Sequence, residues 1–138
     1  MVQIKDILSS VKMMLFPGSV LLGPMPGVDH PKFYIIAGVS GDRICVCSVI
    51  INSEINPFIL KRPYLLERQI EISNKKYSFL SHVSYVNCAQ PLKAKADSFS
   101  DGEYKHVGVL EDDDLHEIRK QIVASGMLTE DEVVTYFS

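Results

Sequence analysis

The sequence has no tryptophan and only three cysteines, Cys45, Cys47 and Cys88. An odd number of thiols set among apolar neighbours does not make the paired framework of a small secreted domain, so free buried thiols are expected. Zinc ligation is equally unsupported, because the four histidines, His30, His82, His106 and His116, are scattered rather than grouped at ligand spacing. Nothing approaches the roughly 18 apolar residues that suggest a membrane-spanning helix. Lys5, Asp6 and Lys12 interrupt the apolar stretch that a signal peptide would need, so a cytoplasmic protein without membrane attachment is expected. There is no glycine-rich phosphate loop, no nucleophile elbow and no internal repeat. No cofactor and no metal are therefore expected. The net charge of −3 excludes a generally basic nucleic-acid coat and leaves room for a local patch.

What is present fits one domain. The 138 residues are enough to bury one core, and 46% hydrophobic with 22% charged residues is ordinary globular usage. Residues 1–15 place Ile4, Ile7, Leu8, Val11 and Leu15 at helical spacing, which predicts an amphipathic helix ended by Phe16-Pro17-Gly18. Such a helix would plug an end of the core or dock a partner. From residue 17 to 110 the chain turns to short β-rich runs. Ser19 to Leu22 is the first, and Phe33 to Val39 and Arg43 to Ile51 form a hairpin around Ser40-Gly41-Asp42. Leu66 to Ser73 alternates with period two, and Tyr77 to Leu80, His82 to Asn87, Leu92 to Ala96 and Tyr104 to Leu110 continue the pattern.

Residues 111–138 read as helices. Asp112, Asp113 and Asp114 suit the positive end of a helix dipole, Leu115, Ile118 and Ile122 make an apolar stripe, and Ser125-Gly126 is a stop. Thr129 and Glu132 fit a capping box that opens a last helix through Phe137. Many short strands and no crossover helices predict a mainly β, α+β fold: a small antiparallel β-barrel with an N-terminal amphipathic helix and C-terminal helices.

Three stretches carry a family resemblance: Gly18-Ser19-Val20, His30-Pro31-Lys32-Phe33-Tyr34-Ile35-Ile36 and Val86-Asn87-Cys88-Ala89-Gln90-Pro91. Their order and character resemble the MazF/PemK (Kid-like) toxins over roughly residues 17 to 125, and the last stretch is similar to a V-R-C-D-Q-P run of some members. The resemblance implies an SH3-like barrel, a homodimer, an antitoxin partner and metal-independent endoribonuclease activity on single-stranded RNA. It breaks at the chemistry. Asn87 stands where the family stretch has arginine, Ala89 where it has aspartate, and Ser19 where the opening strand has an acid. Asparagine carries no charge and alanine offers no side-chain polar group, so the inherited mechanism is not intact.

A replacement set is available in the sequence. His30 and His82 are candidate base and acid, with Asn87 beside them, and Tyr85, Lys93 and Lys95 are candidate RNA contacts, the two lysines sharing one strand face. Lys61-Arg62 and Lys75-Lys76 read as solvated turn charges. Two functions stay open: a diverged RNA-cleaving or RNA-binding toxin-family protein, or a non-catalytic barrel acting as a protein-binding or assembly module.

Overall fold

A computed structural model describes residues 14–100 and 102–138; the expected helix over residues 1–15 lies almost wholly outside the described residues. Among those described, the chain is α+β, with seven strands in one antiparallel sheet and four helices. The strands are β1 (Ser19–Gly23), β2 (Lys32–Val39), β3 (Cys45–Asn52), β4 (Gln69–Ile72), β5 (Ser84–Asn87), β6 (Leu92–Lys95) and β7 (Lys105–Val109). Two one-turn helices, α1 (Pro57–Leu60) and α2 (Pro63–Leu66), precede β4, and α3 (Asp112–Ala124) and α4 (Glu130–Phe137) close the chain.

The strand order is β4-β5-β3-β2-β1-β7, and β6 also pairs with β3. Both β5 and β6 run antiparallel to β3 on the same edge: Ile51 faces Val86, and Ser48 faces Leu92. The Cys88–Pro91 stretch is thus a break in one long strand, set between two halves that both follow β3.

The expected barrel is corrected here, because the ladder does not close: the path ends on β4 at one side and β7 at the other. Tyr77 to Leu80, expected as a strand, is a turn segment instead. Its rings pack against β2, β7 and the start of α3. Phe79 packs on Phe33 at 5.4 Å between centroids, and a Cβ added to Gly108 in β7 would meet the Phe79 ring at 2.6 Å. Helix α3 ties down the same segment. The Tyr77 hydroxyl donates to Asp114 and accepts from the Glu111 amide at 3.0 Å, and Lys76 Nζ lies 2.9 Å from both Glu111 and Asp114.

The central strands are buried on both faces. Ile35, Ala37, Cys47, Val49 and Val86 face one core, completed by Ile118 and Ile122 of α3 and Tyr136 of α4. Tyr34, Ile36 and Val46 face a second, completed by Leu15, Leu21, Ala96 and Phe99. Period two on β2 and β3 supplies one set of side chains to each, which is why those strands read as continuous apolar runs. At Gly38 the backbone of α4 comes so close that an added Cβ would sit 2.2 Å from the Tyr136 carbonyl oxygen. Thr129 and Glu132 form the expected capping box, with bonds of 3.1 and 2.9 Å.

Candidate functional site

Antiparallel pairing brings the ends of β1, β3 and β4 and the starts of β2, β5 and β7 to the same end of the sheet: Gly23 faces Lys32, Leu22 faces Lys105, Asn52 faces Tyr85 and Ile72 faces Ser84. Three clefts lie along this end. The first, of about 430 Å³, is bordered by Leu22, Pro24, Val28, His30, Glu103 and Lys105. The second, of about 230 Å³, is bordered by His30, Lys32, Phe33, Ser53, His82 and Ser84. The third, of about 290 Å³, holds Ser53, Glu54, Ile55, Leu60 and Tyr85. His30 belongs to the first two and Ser53 to the last two, so the clefts adjoin in a single trough.

The loop that carries His30 is anchored at its start. Tyr34 and Tyr104 both donate their hydroxyls to the Pro24 carbonyl oxygen, at 2.7 and 3.0 Å. The two rings and Phe99 form an edge-to-face trio, with Tyr34 and Tyr104 centroids 5.6 Å apart, so packing sets where the hydroxyls point. Burial, and then the neighbouring Tyr104, raises the Tyr34 phenol to about 12, which keeps it a neutral donor. At the loop's other end His30 Nδ1 lies 2.9 Å from Asp29 Oδ1. A carboxylate there only accepts, so Nδ1 carries the proton and Nε2 is left for chemistry. The hydrogen bond from His30 holds the Asp29 carboxyl below its ordinary value.

His82 approaches from the turn before β5. Its Nδ1 lies 2.8 Å from Ser81 Oγ, and buried Ser84 donates to its backbone carbonyl at 3.0 Å, which fixes the turn. Lys32 stands at the start of β2 and donates to Asn52 Oδ1 at 2.8 Å. The amide is neutral, so this contact orients the ammonium and leaves its charge uncompensated by that partner. The cleft is therefore bordered by two histidines and a lysine. Such a set can take a proton, return a proton and stabilise a dianionic phosphorane.

The other expected residues are placed elsewhere. Asn87 is buried at the far end of β5, and its Oδ1 accepts from Gln69 Nε2 at 2.8 Å and the Ala89 amide at 3.2 Å. The first crosses the β4–β5 pair, and the second ties Asn87 to the break at Cys88–Pro91. Lys93 and Lys95 face Cys47 and Cys45, at the end of β3 opposite the trough. Lys93 is occupied by Glu132 of α4 at 2.5 Å, an ion pair that pins the helix to the sheet. Tyr85 reaches the trough through its third cleft. Ser19 is wholly buried, and its hydroxyl has no hydrogen-bond partner among the described residues.

Lys32, Asn52, Ser53 and Ser84 were not singled out from sequence. Each is an ordinary strand-end residue until register brings them together. Among the described residues no group of three or more His, Cys, Asp or Glu side chains is placed to hold a metal ion, and no helix is long and apolar enough to cross a membrane. No protein-family model matches the chain, and no curated protein matches it.

Proposed function

We propose that the trough binds single-stranded RNA and that the histidine cleft cleaves it without a metal. The observation that carries the reading is that His30 and His82, from separate loops, border one cleft together with Lys32. Imidazole is the side chain whose neutral and charged forms are both accessible near neutral pH. One imidazole takes the proton of a ribose 2′-hydroxyl. The resulting oxygen attacks the adjacent phosphorus, and the bond to the 5′-oxygen breaks as the second imidazole donates its proton to that oxygen. Lys32 offsets the charge that accumulates on the phosphoryl oxygens in between. The products are a 2′,3′-cyclic phosphate and a 5′-hydroxyl.

This reading keeps the relationship to MazF/PemK toxins, with the open sheet as a variant of an SH3-like barrel and the chemistry moved from the Asn87 and Ala89 positions to the His30–His82 cleft. A homodimer and an antitoxin partner belong to the same proposal. Purified protein is expected to cut mixed-sequence RNA in EDTA. His30→Ala and His82→Ala are each expected to slow cutting by about 10²–10⁴-fold, and the double variant by little more than either single one, since the two act as a unit. Wild-type rates in both single variants would overturn the assignment. Uncut RNA at high wild-type concentration would favour the non-catalytic binding module instead.

A further inference from the structure

His30 and His82 are held in the same way. Each takes its Nδ1 partner from the residue before it: Asp29 Oδ1 lies 2.9 Å from His30 Nδ1, and Ser81 Oγ lies 2.8 Å from His82 Nδ1. Both rings therefore turn Nε2 away from that partner, but the partners differ in charge. Asp29 is a carboxylate, held below its ordinary value first of all by the hydrogen bond from His30, so it stays ionised near neutral pH. Ser81 offers a neutral hydroxyl that can donate or accept.

The difference matters because the two proton transfers of the proposed cleavage move charge in opposite directions. The imidazole that takes the 2′-hydroxyl proton becomes positive, and a carboxylate already seated on its Nδ1–H offsets that charge as it develops. The imidazole that protonates the leaving 5′-oxygen begins positive and ends neutral. A carboxylate behind it would oppose the transfer, whereas a hydroxyl accepts from Nδ1–H before and after.

Backbone and ring are fixed together at His30. Pro31 restricts the residue before it to extended conformations, and the bond to Asp29 sets the ring. The charged and titratable groups around it are Lys32 and His82 in the second cleft and Glu103 and Lys105 in the first; Asp29 is the carboxylate bonded to the ring.

We propose that Asp29 is a positioning residue for the cleavage and that the Asp29–His30 pair supplies the base, leaving His82 as the acid. The inference rests on the cleavage reading above and goes beyond it by assigning each proton. The 2′-hydroxyl proton passes to His30 Nε2 as the bond from that oxygen to phosphorus forms. As the bond from phosphorus to the 5′-oxygen breaks, His82 Nε2 gives its proton to that oxygen.

The test compares two RNAs of the same sequence, one with the ordinary 5′-oxygen and one with sulfur in its place at a linkage that the wild type cuts. A thiolate leaves without a proton, so the sulfur substrate needs a base but no acid. His82→Ala is expected to be slowed about 10²–10⁴-fold on the oxygen substrate and to come within about tenfold of wild type on the sulfur one. His30→Ala should be slowed on both. Asp29→Ala should be slowed about fivefold on both, the size of an exposed charge contact, and should add nothing to His30→Ala, because it acts through that ring. Asp29, His30 and His82 are exposed, so the variants should keep the wild-type circular dichroism, and Asp29→Asn serves if Asp29→Ala does not. Sulfur rescue of His30→Ala in place of His82→Ala overturns the assignment while leaving the cleavage reading intact. Wild-type rates in Asp29→Ala, or an equal loss when Asp29→Ala is added to His30→Ala, overturn the role of Asp29. A wild type that cuts no RNA removes the cleavage reading, and the assignment with it.

Discussion

Lys32 Nζ donates to Asn52 Oδ1 at 2.8 Å and so links the first residue of β2 to the last residue of β3. On the proposed cleavage, this bond holds the ammonium in the position from which it would offset phosphate charge. Lys32→Met is therefore expected to lower single-turnover cleavage by about 10²-fold, the loss typical of one transition-state donor. Asn52→Ala should lower it less and be partly rescued by Asn52→Gln. Equal rates for Lys32→Met and wild type would remove lysine from the mechanism.

Tyr77 joins the turn segment to α3 through Asp114 and the Glu111 amide. Removing its hydroxyl leaves that amide and carboxylate without the bond, so Tyr77→Phe is expected to cost about 1–2 kcal/mol in urea unfolding. Burial, then the bond to Asp114, raises this phenol to about 12, so it stays a neutral donor throughout the accessible pH range.

The same cluster sets a pH dependence. Burial raises the Asp114 carboxyl, but hydrogen bonds from Tyr77 and Lys76 outweigh it and leave the group below the ordinary aspartate value. Hydrogen bonds to Asp114 and then Glu111 raise the Lys76 ammonium above 10.5. A depressed carboxyl contributes stability above its unfolded value, lost as pH falls through the folded one; a raised ammonium contributes below its unfolded value, lost as pH rises through the folded one. The gap in urea midpoint between wild type and Asp114→Asn should thus be flat near neutrality and shrink below about pH 4. A gap that grows on acidification would contradict the pairing.

Gly38 is where α4 meets the sheet backbone. Gly38→Ala places a Cβ against the Tyr136 carbonyl, which has no flexible end to move, and is expected to destabilise the protein by about 1–3 kcal/mol in thermal denaturation. Gly41→Ala, with open space around it, is the control and should lose far less.

Cys47 and Cys88 have thiols pushed up to about 12, first of all by burial. Both are expected to remain unmodified by iodoacetamide in the native protein near neutral pH and to react on unfolding, as peptide mass mapping would show. Modification of either in the folded state would mean that the core around β3 and β5 opens.

The sequence made the central sheet legible because β2 and β3 are apolar on both faces and joined by Ser40-Gly41-Asp42, and it made α3 and α4 legible through the Ile118 and Ile122 stripe and the Thr129–Glu132 box. It hid α1 and α2. Four residues are too few to show a period, and the signal that remained was Asn56-Pro57 and Arg62-Pro63, proline at a first helical position. Tyr77 to Leu80 misleads in the opposite sense: its aromatic and apolar residues read as a strand, but Tyr77 and Leu80 are buried in the core and Phe79 packs on Phe33 from a turn. The site was legible only in part. His30, His82 and Tyr85 lie along the trough, but Asn87 is bonded to Gln69 and Lys93 to Glu132, and Lys95 stands opposite Cys45 at the other end of β3, none of which adjacency in sequence shows.

The claim that His30 and His82 act on one phosphodiester is tested most directly by the ends they leave. Wild-type protein in EDTA, given an unmodified single-stranded RNA, should produce fragments ending in a 2′,3′-cyclic phosphate and beginning with a 5′-hydroxyl, as read by mass spectrometry, and His82→Ala should produce neither. Fragments with 3′-hydroxyl and 5′-phosphate ends, or the same cyclic ends at the same rate from His82→Ala, would contradict it.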